Sequence, residues 1–350
     1  MRGHGPKLPD DDLPDLIRMN LPSSRWLRDN CPCPKCLHPI TRERTITLID
    51  VPDTGDAAVS TDGAGTVTVD WGGGHVGVFS ADLFEARADL ATAPTGLVTV
   101  LRLDYSRLDT ASGIKHWLES MLTNGAIVVE HTPNVDGEVV RLAERIGYAR
   151  PTNFGTIFDV RSKPDPNNSA YTAAGLDLHT DLPNWAGPPD FQFLHALANE
   201  ASGGDSTLAD GVAIANTLRE KEPDAFEVLA TTPVPFRFHD SDDDIRFTSP
   251  IIETDADGNP VAIRFNNWIR DIDPSAGDTF YDAYMVLWRM LRDPANVLTL
   301  RLVAGDTLCF DNRRILHGRT EFDPQSGHRH LQGCYVDRDM VESRLRKLVL

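Results

Sequence analysis

The sequence predicts a mainly β protein with flanking helices, in which a jelly-roll domain follows a small amino-terminal zinc-binding β domain. The first observation is that many short strand-like segments and few helical ones follow residue 170, as in two-sheet antiparallel rolls. The second is a cluster of cysteines near the amino terminus, which is typical of a zinc site. Because the composition changes at residues 87–96, we predict one domain over residues 1–93 and another over 94–350.

The composition is that of a globular protein and narrows the possible partners. Of the 350 residues, 41% are hydrophobic and 25% are charged, which is ordinary for soluble domains. The net charge of -18 argues against nucleic acid and anionic membranes as partners, because either would need a basic face. The sequence has no long apolar run and no apolar signal core at its amino terminus. We therefore expect a cytoplasmic protein that acts on a small molecule.

The amino-terminal cysteine cluster has the spacing of a metal site. Cys31, Cys33 and Cys36 are separated by prolines that stiffen the loop. Three thiolates at this spacing can converge on one tetrahedral ion, and an odd, clustered cysteine count in a cytoplasmic chain favours a metal over disulfides. Redox-active or simply exposed thiols are the alternative. The sequence thus predicts a zinc site that needs a fourth ligand.

Two histidines are candidates for the fourth zinc ligand. His38 follows Cys36 so closely that it would strain the loop. His75 lies in a glycine turn after the strand-like residues 66–71, and pairing of that strand with residues 44–49 would return the turn to the cysteines. We therefore favour His75, which gives four protein ligands and a structural site without an open position.

The scaffold of the second domain is predicted from hydrophobic periodicity. A capped helix with apolar residues at i, i+3, i+4 and i+7 ends at Gly125, and a buried strand follows at residues 126–130. Further helices are predicted over residues 137–146, 211–230 with a break near Pro223, 275–292 and 340–350. A hairpin is predicted from strands 246–253 and 261–265, and later strands over 297–303 and 307–310.

Three side chains carry the pattern of a catalytic metal site. His179 and Asp181 stand two residues apart on an extended chain, so both project to the same side. A short apolar strand after a turn at residues 304–306 delivers His317. Two histidines and one carboxylate that leave coordination positions open are the arrangement of non-haem Fe(II) oxygenases. An isolated His-x-Asp pair is usually satisfied by backbone, so the second histidine decides the interpretation.

Arg329 completes a pattern that resembles a known enzyme family. It follows His317 closely in sequence, and a planar guanidinium can anchor a diacid by pairing bidentately with its carboxylate. The order and separations of the three metal-binding residues and Arg329 resemble those of the Fe(II)/2-oxoglutarate dioxygenases of the taurine dioxygenase type, and within them the γ-butyrobetaine hydroxylase branch. Further motifs extend the resemblance over nearly the whole chain: Asn167-Asn168-x-Ala170-Tyr171, Gln192-Phe193-Leu194-His195, Gly203-Gly204-Asp205-Ser206, Phe265-Asn266-Asn267 and Arg329-His330-Leu331.

The resemblance implies a fold, a set of cofactors and a quaternary structure. The fold is the distorted double-stranded β-helix, with Fe(II) bound by the His-Asp-His triad in its open mouth and with 2-oxoglutarate and O2 as co-substrates. Arg329 and the Ser206 hydroxyl are implied as ligands of the 2-oxoglutarate carboxylate. The implied ligands of the structural zinc are Cys31, Cys33, Cys36 and His75. A homodimer is implied as well.

Aromatic and amide side chains are implied as the substrate site. Aromatic rings near a metal can hold a quaternary ammonium by cation–π attraction, and Asn amides can hold a carboxylate. The aromatic cage of the family falls on Phe154, Phe158, Tyr171 and Tyr335, and its substrate amides fall on Asn168, Asn266 and Asn267. Phe stands at two cage positions where Tyr and Trp are expected, and its π face is weaker. Alternatively, Phe154 and Phe158 are ordinary core residues and the paired asparagines form a turn.

These residues predict hydroxylation of a small trimethylammonium substrate, with γ-butyrobetaine converted to L-carnitine as the favoured reaction. Trimethyllysine, a trimethylammonium phosphonate or the substrate of another taurine dioxygenase-like oxygenase are the alternatives within the class. A zinc hydrolase with the same triad and a non-enzymatic module with a zinc domain and a cupin-like shell are the alternatives outside it. Dependence of turnover on 2-oxoglutarate separates the hydrolase from the dioxygenase.

Overall fold

The computed structural model resolves the chain into two compact units, Met1–Asp89 and Leu90–Leu350. The residues that it describes are 22–51, 57–62, 66–80, 83, 98–161, 173–271 and 277–349. The predicted domain boundary between residues 93 and 94 lies outside the described residues and stays a prediction. Two predicted substrate-binding residues, Asn168 and Tyr171, also lie outside them.

The amino-terminal unit contains a short helix and a three-stranded antiparallel sheet. Helix α1 spans Ser24–Asp29 and begins where the Ser23 hydroxyl accepts a hydrogen bond from the Trp26 N–H at 3.2 Å. The strands, in sheet order, are Ala58–Thr61 (β1), Val67–Asp70 (β2) and Val76–Phe79 (β3). Buried residues alternate along β2, as expected for a strand with one face on a core, and this core includes Leu27 of α1.

The predicted strand at residues 66–71 is confirmed as β2. The prediction that residues 44–49 pair with this strand is wrong. Within that segment, Arg44 forms an isolated bridge with Leu37, and Leu48–Asp50 forms a 3-10 turn. The reason is that β1 and β3 pair with the two edges of β2, so no edge remains for another strand.

The carboxy-terminal unit is a roll of two sheets, which confirms the predicted mainly β architecture. The larger sheet contains, in order, Leu101–Asp104 (β4), Ala126–Glu130 (β5), Thr307–Asp311 (β16), Phe191–Asn199 (β8), Arg329–Val336 (β19) and Phe158–Val160 (β6). The smaller sheet contains, in order, Leu298–Leu300 (β15), Ser206–Asp210 (β10), Ile315–Arg319 (β17) and Leu176–His179 (β7). The pairings in both sheets are antiparallel, except that β4 runs parallel to β5.

Three small antiparallel ladders complete the described strands. They are Ser202–Gly203 (β9) with Phe322–Asp323 (β18), Val234–His239 (β11) with Asp244–Ser249 (β12), and Ile252–Thr254 (β13) with Pro260–Ile263 (β14). The predicted single hairpin between residues 246–253 and 261–265 is therefore only partly right. Pro250 has no N–H to donate and ends β12, which pairs back with β11 and leaves the short β13 to pair with β14.

The predicted helices are confirmed, including the break at Pro223. They are Ala111–Asn124 (α2), Glu138–Glu144 (α3), Gly211–Lys221 (α4), Pro223–Thr231 (α5), Gly277–Arg292 (α6) and Arg338–Val349 (α7). The Thr110 hydroxyl caps α2 by accepting from the Gly113 N–H at 3.1 Å, and Gly125 ends the helix at a φ of 78°. In the described part of the chain, no helix combines the length and apolarity that a membrane span requires.

Residues on the two faces of the larger sheet pack in different hydrophobic cores. On β5, Ile127 and Val129 pack in one core with Trp117 of α2, whereas Ala126 and Val128 belong to a second core between the sheets. Helices α4, α5 and α6 pack in a third core that includes residues of the smaller sheet. Leu194 and Leu331 belong to the core between the sheets and also line a cavity, which contains the candidate active site.

Candidate active site and metal centres

In the amino-terminal unit, the four residues predicted to bind zinc lie together. The distances from Nε2 of His75 to the three sulfur atoms are 3.4 Å for Cys31, 3.5 Å for Cys33 and 3.4 Å for Cys36. Tetrahedral zinc, with Zn–S near ~2.3 Å and Zn–N near ~2.0 Å, would separate these atoms by about 3.5 Å. Three thiols and one imidazole at these distances fit a zinc ion.

Glycines let the chain bring His75 to the thiols. Gly72, Gly73 and Gly74 all have positive φ angles (78°, 61° and 77°), which side chains rarely adopt. At Gly77, a Cβ atom would lie 2.9 Å from Sγ of Cys31, so a side chain there would push against the cluster. The rejected candidate, His38, instead accepts a hydrogen bond at Nδ1 from the Thr41 N–H at 3.0 Å.

In the carboxy-terminal unit, strand pairing brings the predicted iron ligands together. His317 of β17 stands directly opposite His179 of β7, and their ring centroids are 4.3 Å apart. Asp181 lies just beyond β7, with Oδ1 3.4 Å from Nε2 of His179 and Oδ2 3.9 Å from Nε2 of His317. One possible ligand atom from each residue lies within 4.8 Å of the others. The three therefore form a compact donor set on adjacent chain segments.

Neighbouring groups fix the triad and its protonation. Nδ1 of His179 lies 2.9 Å from the Asp177 carbonyl and can donate to it, which leaves Nε2 as the atom for a metal. Burial and the nearby His179 lower the pKa of His317 to about 3, so its imidazole is neutral. Burial would raise the pKa of Asp181, but the two imidazoles and the Tyr335 hydroxyl hold it well below its usual range. The neutral His317 imidazole and the ionised Asp181 carboxylate suit a divalent ion such as Fe(II).

Asn312 locks the backbone at Asp181. Its Oδ1 accepts from the Asp181 N–H at 2.7 Å, and its Nδ2 donates to the Asp181 carbonyl at 3.1 Å. Asn312 is itself buried in the turn between β16 and β17. The loop that carries the carboxylate ligand is thus tied to the strand that carries His317.

Arg329 is a buried guanidinium whose donors are largely unused. Nε and Nη1 have no hydrogen-bond partner in the described structure, and Nη2 makes a 3.4 Å contact with the Gly204 carbonyl. Gly204 makes room for this side chain, since a Cβ there would lie 2.8 Å from Nε. Burial, reinforced by the nearby Arg319, lowers the pKa of Arg329 to about 10, which leaves it charged at neutral pH. Such a cation fits the distal carboxylate of 2-oxoglutarate.

Aromatic rings line the same cavity. The ring of Phe158 stacks on that of Tyr335, with centroids 5.1 Å apart, and the ring of Phe154 meets that of Phe238 edge-on at 5.4 Å. Gly333 of β19 provides the space for Phe158, because a Cβ there would lie 2.2 Å from its Cζ. The two phenylalanines predicted for the cage line the cavity, and Phe158 also packs against the core between the sheets.

The two asparagines of the predicted pair face different surroundings. Asn266 lines the cavity, and its Oδ1 accepts from the Trp268 N–H at 3.2 Å, so its amide hydrogens are the groups left for a ligand. Oδ1 of Asn267 instead accepts from Nε of Arg270 at 3.1 Å and from the Tyr284 hydroxyl at 3.4 Å. Asn267 does not line the cavity.

Comparison with known families decides the identity of this site. A family model described as taurine catabolism dioxygenase TauD, TfdA family, matches residues 89–335 of the chain. The chain belongs to the TauD/TfdA family. The match includes the triad and Arg329, and it leaves the cysteine cluster outside.

Relatives with assigned names cover nearly the whole chain. The gamma-butyrobetaine dioxygenase of Pseudomonas sp. (strain AK-1) is 40% identical over 91% of this chain and 88% of that protein. The gamma-butyrobetaine dioxygenase of Homo sapiens is 32% identical over 92% and 90%, and the mitochondrial trimethyllysine dioxygenase of Mus musculus is 30% identical over 93% and 82%. Among solved structures, an asparagine oxygenase shares the fold, with a TM-score of 0.52 and 19% identity over 68% of this chain and 93% of that one.

The predicted family, fold class and enzyme class are confirmed: this TauD/TfdA protein is a 2-oxoglutarate-dependent dioxygenase. Its cavity is lined by all but one of the predicted iron-, co-substrate- and substrate-binding residues that the structure describes: Phe154, Phe158, His179, Asp181, Ser206, Asn266, His317, Arg329 and Tyr335. Asn267 is the exception. The cavity of this dioxygenase thus combines metal donors, a buried cation, aromatic rings and an amide.

Sequence reasoning assigned no role to several residues that line the cavity, among them Asn184, Phe238, Trp268 and Arg319. Arg319 had a usable signal, because it stands two residues after His317 on one strand and therefore on the same face. It is also paired with Ser206 across the sheet. Trp268 and Asn184 follow the recognised motifs by a few residues, and the Trp268 ring lies 4.8 Å from that of His179. Phe238 had no signal, because the β11–β12 ladder was not predicted.

Proposed function

We propose that this TauD/TfdA dioxygenase hydroxylates γ-butyrobetaine to L-carnitine, with Fe(II) and 2-oxoglutarate. The observation that carries the proposal is a single cavity that contains the His-Asp-His triad, a buried guanidinium with unused donors, and aromatic rings together with an amide. Each group matches one reactant: the metal, the co-substrate diacid and a substrate with a cationic and an anionic end.

We propose His179, Asp181 and His317 as the Fe(II) ligands. When bound, the ion supplies O2 activation coupled to oxidative decarboxylation of 2-oxoglutarate. Arg329 holds the distal carboxylate of that diacid, and the Ser206 hydroxyl on β10 of the smaller sheet is its second donor. A second guanidinium, that of Arg319, faces the same cavity, and both arginines contact the ring of Phe322, at 4.9 and 5.2 Å from its centroid. Two buried cations favour binding of an anionic co-substrate.

The substrate is oriented from both ends. Phe154, Phe158 and Tyr335 present π faces to the trimethylammonium group, and Phe238 extends this aromatic wall. At the other end, the Asn266 amide donates to the substrate carboxylate, with Asn168 as its predicted partner. Because the reaction takes place at the C–H bond nearest to the metal, holding both ends of a short zwitterion selects the carbon that reacts. We propose that this carbon is C3.

The charges of the cavity bear on the choice between a substrate with one carboxylate and trimethyllysine. Trimethyllysine carries an additional α-ammonium group, which needs an acceptor. Among the described residues that line the cavity, the carboxylates are Asp181, in the metal triad, and Asp159. Asp159 is engaged by His330 at 2.7 Å and by Gln332 at 3.1 Å. Asp181 is committed to the triad, and both contacts of Asp159 fall on Oδ1, which leaves Oδ2 of Asp159 as the carboxylate oxygen that an α-ammonium group could reach. Binding of γ-butyrobetaine needs no such acceptor, and a phosphonate in place of the carboxylate is an alternative that Asn266 would also bind.

For the amino-terminal unit we propose a structural zinc ion bound by Cys31, Cys33, Cys36 and His75. We also propose that this zinc-binding domain spans residues 1–93. None of the five cysteines, all of which the structure describes, forms a disulfide, which supports a reducing compartment and hence the predicted cytoplasmic location. The predicted homodimer is supported by the family resemblance, and equilibrium sedimentation of the zinc-loaded protein would test it.

Succinate release tests the proposed function. Protein loaded anaerobically with Fe(II) is given 2-oxoglutarate, O2 and, separately, γ-butyrobetaine, trimethyllysine and a trimethylammonium phosphonate. We expect γ-butyrobetaine to raise succinate release well above the rate without substrate, and Arg329→Ala to raise the KM for 2-oxoglutarate by roughly 30-fold or more, since losing one partner of a buried charge pair costs about 2 kcal/mol or more. Stimulation by a different compound would overturn the substrate assignment, and no stimulation by any of them would overturn the proposal.

A further inference from the structure

Tyr335 contacts both a proposed metal ligand and a wall of the substrate site. Its hydroxyl donates to Oδ2 of Asp181 at 2.7 Å, and its ring stacks on Phe158 at 5.1 Å with an angle of 30° between the planes. The side chain is almost fully buried, with 3% exposed. A ring in the aromatic wall accounts for the stacking, but not for a hydroxyl aimed at the triad.

The backbone of Tyr335 is fixed on both sides. Tyr335 stands opposite Gln192 in the β19–β8 ladder, and its carbonyl accepts from the Arg150 N–H at 2.8 Å. The hydroxyl is therefore delivered from a rigid strand of the larger sheet, whereas the His ligands lie on the smaller sheet. Groups held by rigid strands define a position more precisely than groups on loops.

The carboxylate of Asp181 needs such a partner. Asn312 fixes the Asp181 backbone through two hydrogen bonds, but these bonds do not set the rotation of the carboxylate. The Tyr335 hydroxyl occupies Oδ2, which lies 3.9 Å from Nε2 of His317, whereas Oδ1 lies closer to an imidazole, at 3.4 Å from Nε2 of His179. A hydrogen bond on one oxygen directs the other oxygen toward the metal position.

We propose that Tyr335 is a positioning residue that orients the Asp181 carboxylate for metal binding, separately from the role of its ring in the substrate site. The inference rests on the proposed Fe(II) site. Hydrogen-bond partners of metal ligands typically contribute roughly 10- to 100-fold to metal affinity. Removing the hydroxyl should therefore weaken metal binding while the ring, and with it the contact to substrate, is retained.

The test is Co(II) titration of zinc-loaded, iron-free protein, followed by visible absorption, in Tyr335→Phe and in a matched control. Tyr105→Phe is that control, because it also removes a tyrosine hydroxyl that donates to a buried carboxylate, Glu138, at 2.8 Å. We expect Tyr335→Phe to weaken Co(II) binding by about 10-fold or more, because the hydroxyl is lost while the ring is retained. The control should bind Co(II) like the wild type, and equal thermal midpoints of the two variants would show that both are folded.

Two further variants separate failure of the inference from failure of the site. Phe158→Leu should show the reverse pattern, with a higher substrate KM and unchanged Co(II) affinity. His317→Ala should abolish Co(II) binding. If His317→Ala abolishes binding but Tyr335→Phe binds Co(II) as well as the control does, the positioning role is wrong and the metal site stands. If His317→Ala binds Co(II) normally, the proposed metal site is wrong, and the inference falls with it.

Discussion

The two metal-ligand clusters in the described part of this molecule are assembled alike but differ in the coordination positions that they leave open. Each combines a short motif with one histidine that is distant in sequence: His75 for the cysteine cluster and His317 for the His-x-Asp motif. The cysteine cluster offers four donors, with the imidazole 3.4–3.5 Å from every sulfur. The triad offers three donors and faces a cavity. Four donors complete a tetrahedral ion, whereas three leave coordination positions for reactants.

The surroundings of the two clusters also differ, as expected for one structural and one catalytic metal site. The cysteine cluster is part of a small apolar core with Leu27, Val59 and Val69. A bound ion would add stabilisation that the apolar core of so small a unit cannot provide alone. The triad lies beside a buried cation and aromatic rings, which recognise ligands rather than stabilise a fold. We therefore expect removal of the first ion to affect folding and removal of the second to affect chemistry.

The largest predicted effect is on the stability of the amino-terminal unit. Cys36→Ala leaves three zinc donors, and structural zinc in small domains contributes about 10 kcal/mol or more of folding free energy. We expect loss of zinc from the purified protein and rapid proteolysis within residues 22–80. Measuring zinc per chain and mapping the cleavage sites checks this. A variant that keeps its zinc and its protease resistance would contradict the four-donor description.

The second prediction concerns the triad. His317→Ala removes a donor from a site that has only three, and since loss of even an indirect metal partner costs roughly 10- to 100-fold, we expect turnover to fall by at least about 100-fold. Zinc content and thermal stability should stay at wild-type values, because the substitution leaves the cysteine cluster intact. Succinate release and metal analysis on the same sample measure both. Loss of zinc together with activity would mean that the two clusters are not independent.

The third prediction is a different pH dependence of metal binding at the two clusters. Burial raises the pKa of the Cys31 thiol to about 12, so this thiol must lose a proton when zinc binds, and zinc affinity should fall by about tenfold per pH unit lowered for each such thiol. In the triad, His317 is already neutral and Asp181 already ionised near neutral pH, so these donors release no proton. Competitive metal titrations between about pH 7 and 8 measure how steeply the metal affinity of each cluster changes with pH. A steeper slope at the triad would contradict the assigned protonation.

The smallest predicted effect concerns the substrate cavity beside the triad. In Gly333→Ala the new Cβ would lie 2.2 Å from Cζ of Phe158, so the ring must shift. We expect substrate KM to rise by roughly 2- to 5-fold, the value of a weakened cation–π contact, with Co(II) affinity unchanged. Gly187→Ala is the control, because a Cβ there meets no atom within 4 Å. Equal KM values in both variants would show that Phe158 does not contact the substrate.

The parts of the site that were predictable from sequence are those set by short-range rules. His179 and Asp181 share one side because side chains alternate along an extended chain, and His75 was favoured because a glycine turn follows a strand. Arg319 follows from the same alternation. These positions depend on a few neighbouring residues, so the sequence carries the information locally.

The remaining parts depend on which strands pair, and the sequence does not state this locally. Residues 44–49 were assigned to β2 as a partner, but β1 and β3 pair with both of its edges. Phe238 enters the aromatic wall because β11 pairs with β12, where a different hairpin was expected. The contact of Tyr335 with Asp181 joins residues that are 154 positions apart, one on the larger sheet and the other just beyond β7 of the smaller sheet. No local pattern reports such a contact.

Isotope transfer from labelled dioxygen tests the central claim most directly. Iron-loaded protein is incubated with 18O2, 2-oxoglutarate and γ-butyrobetaine, and both products are analysed by mass spectrometry. The account predicts one labelled oxygen atom in succinate and one in the hydroxylated trimethylammonium product, formed in equal amounts. Labelled succinate with unmodified γ-butyrobetaine would contradict the proposed substrate, and unlabelled succinate would contradict the dioxygenase chemistry.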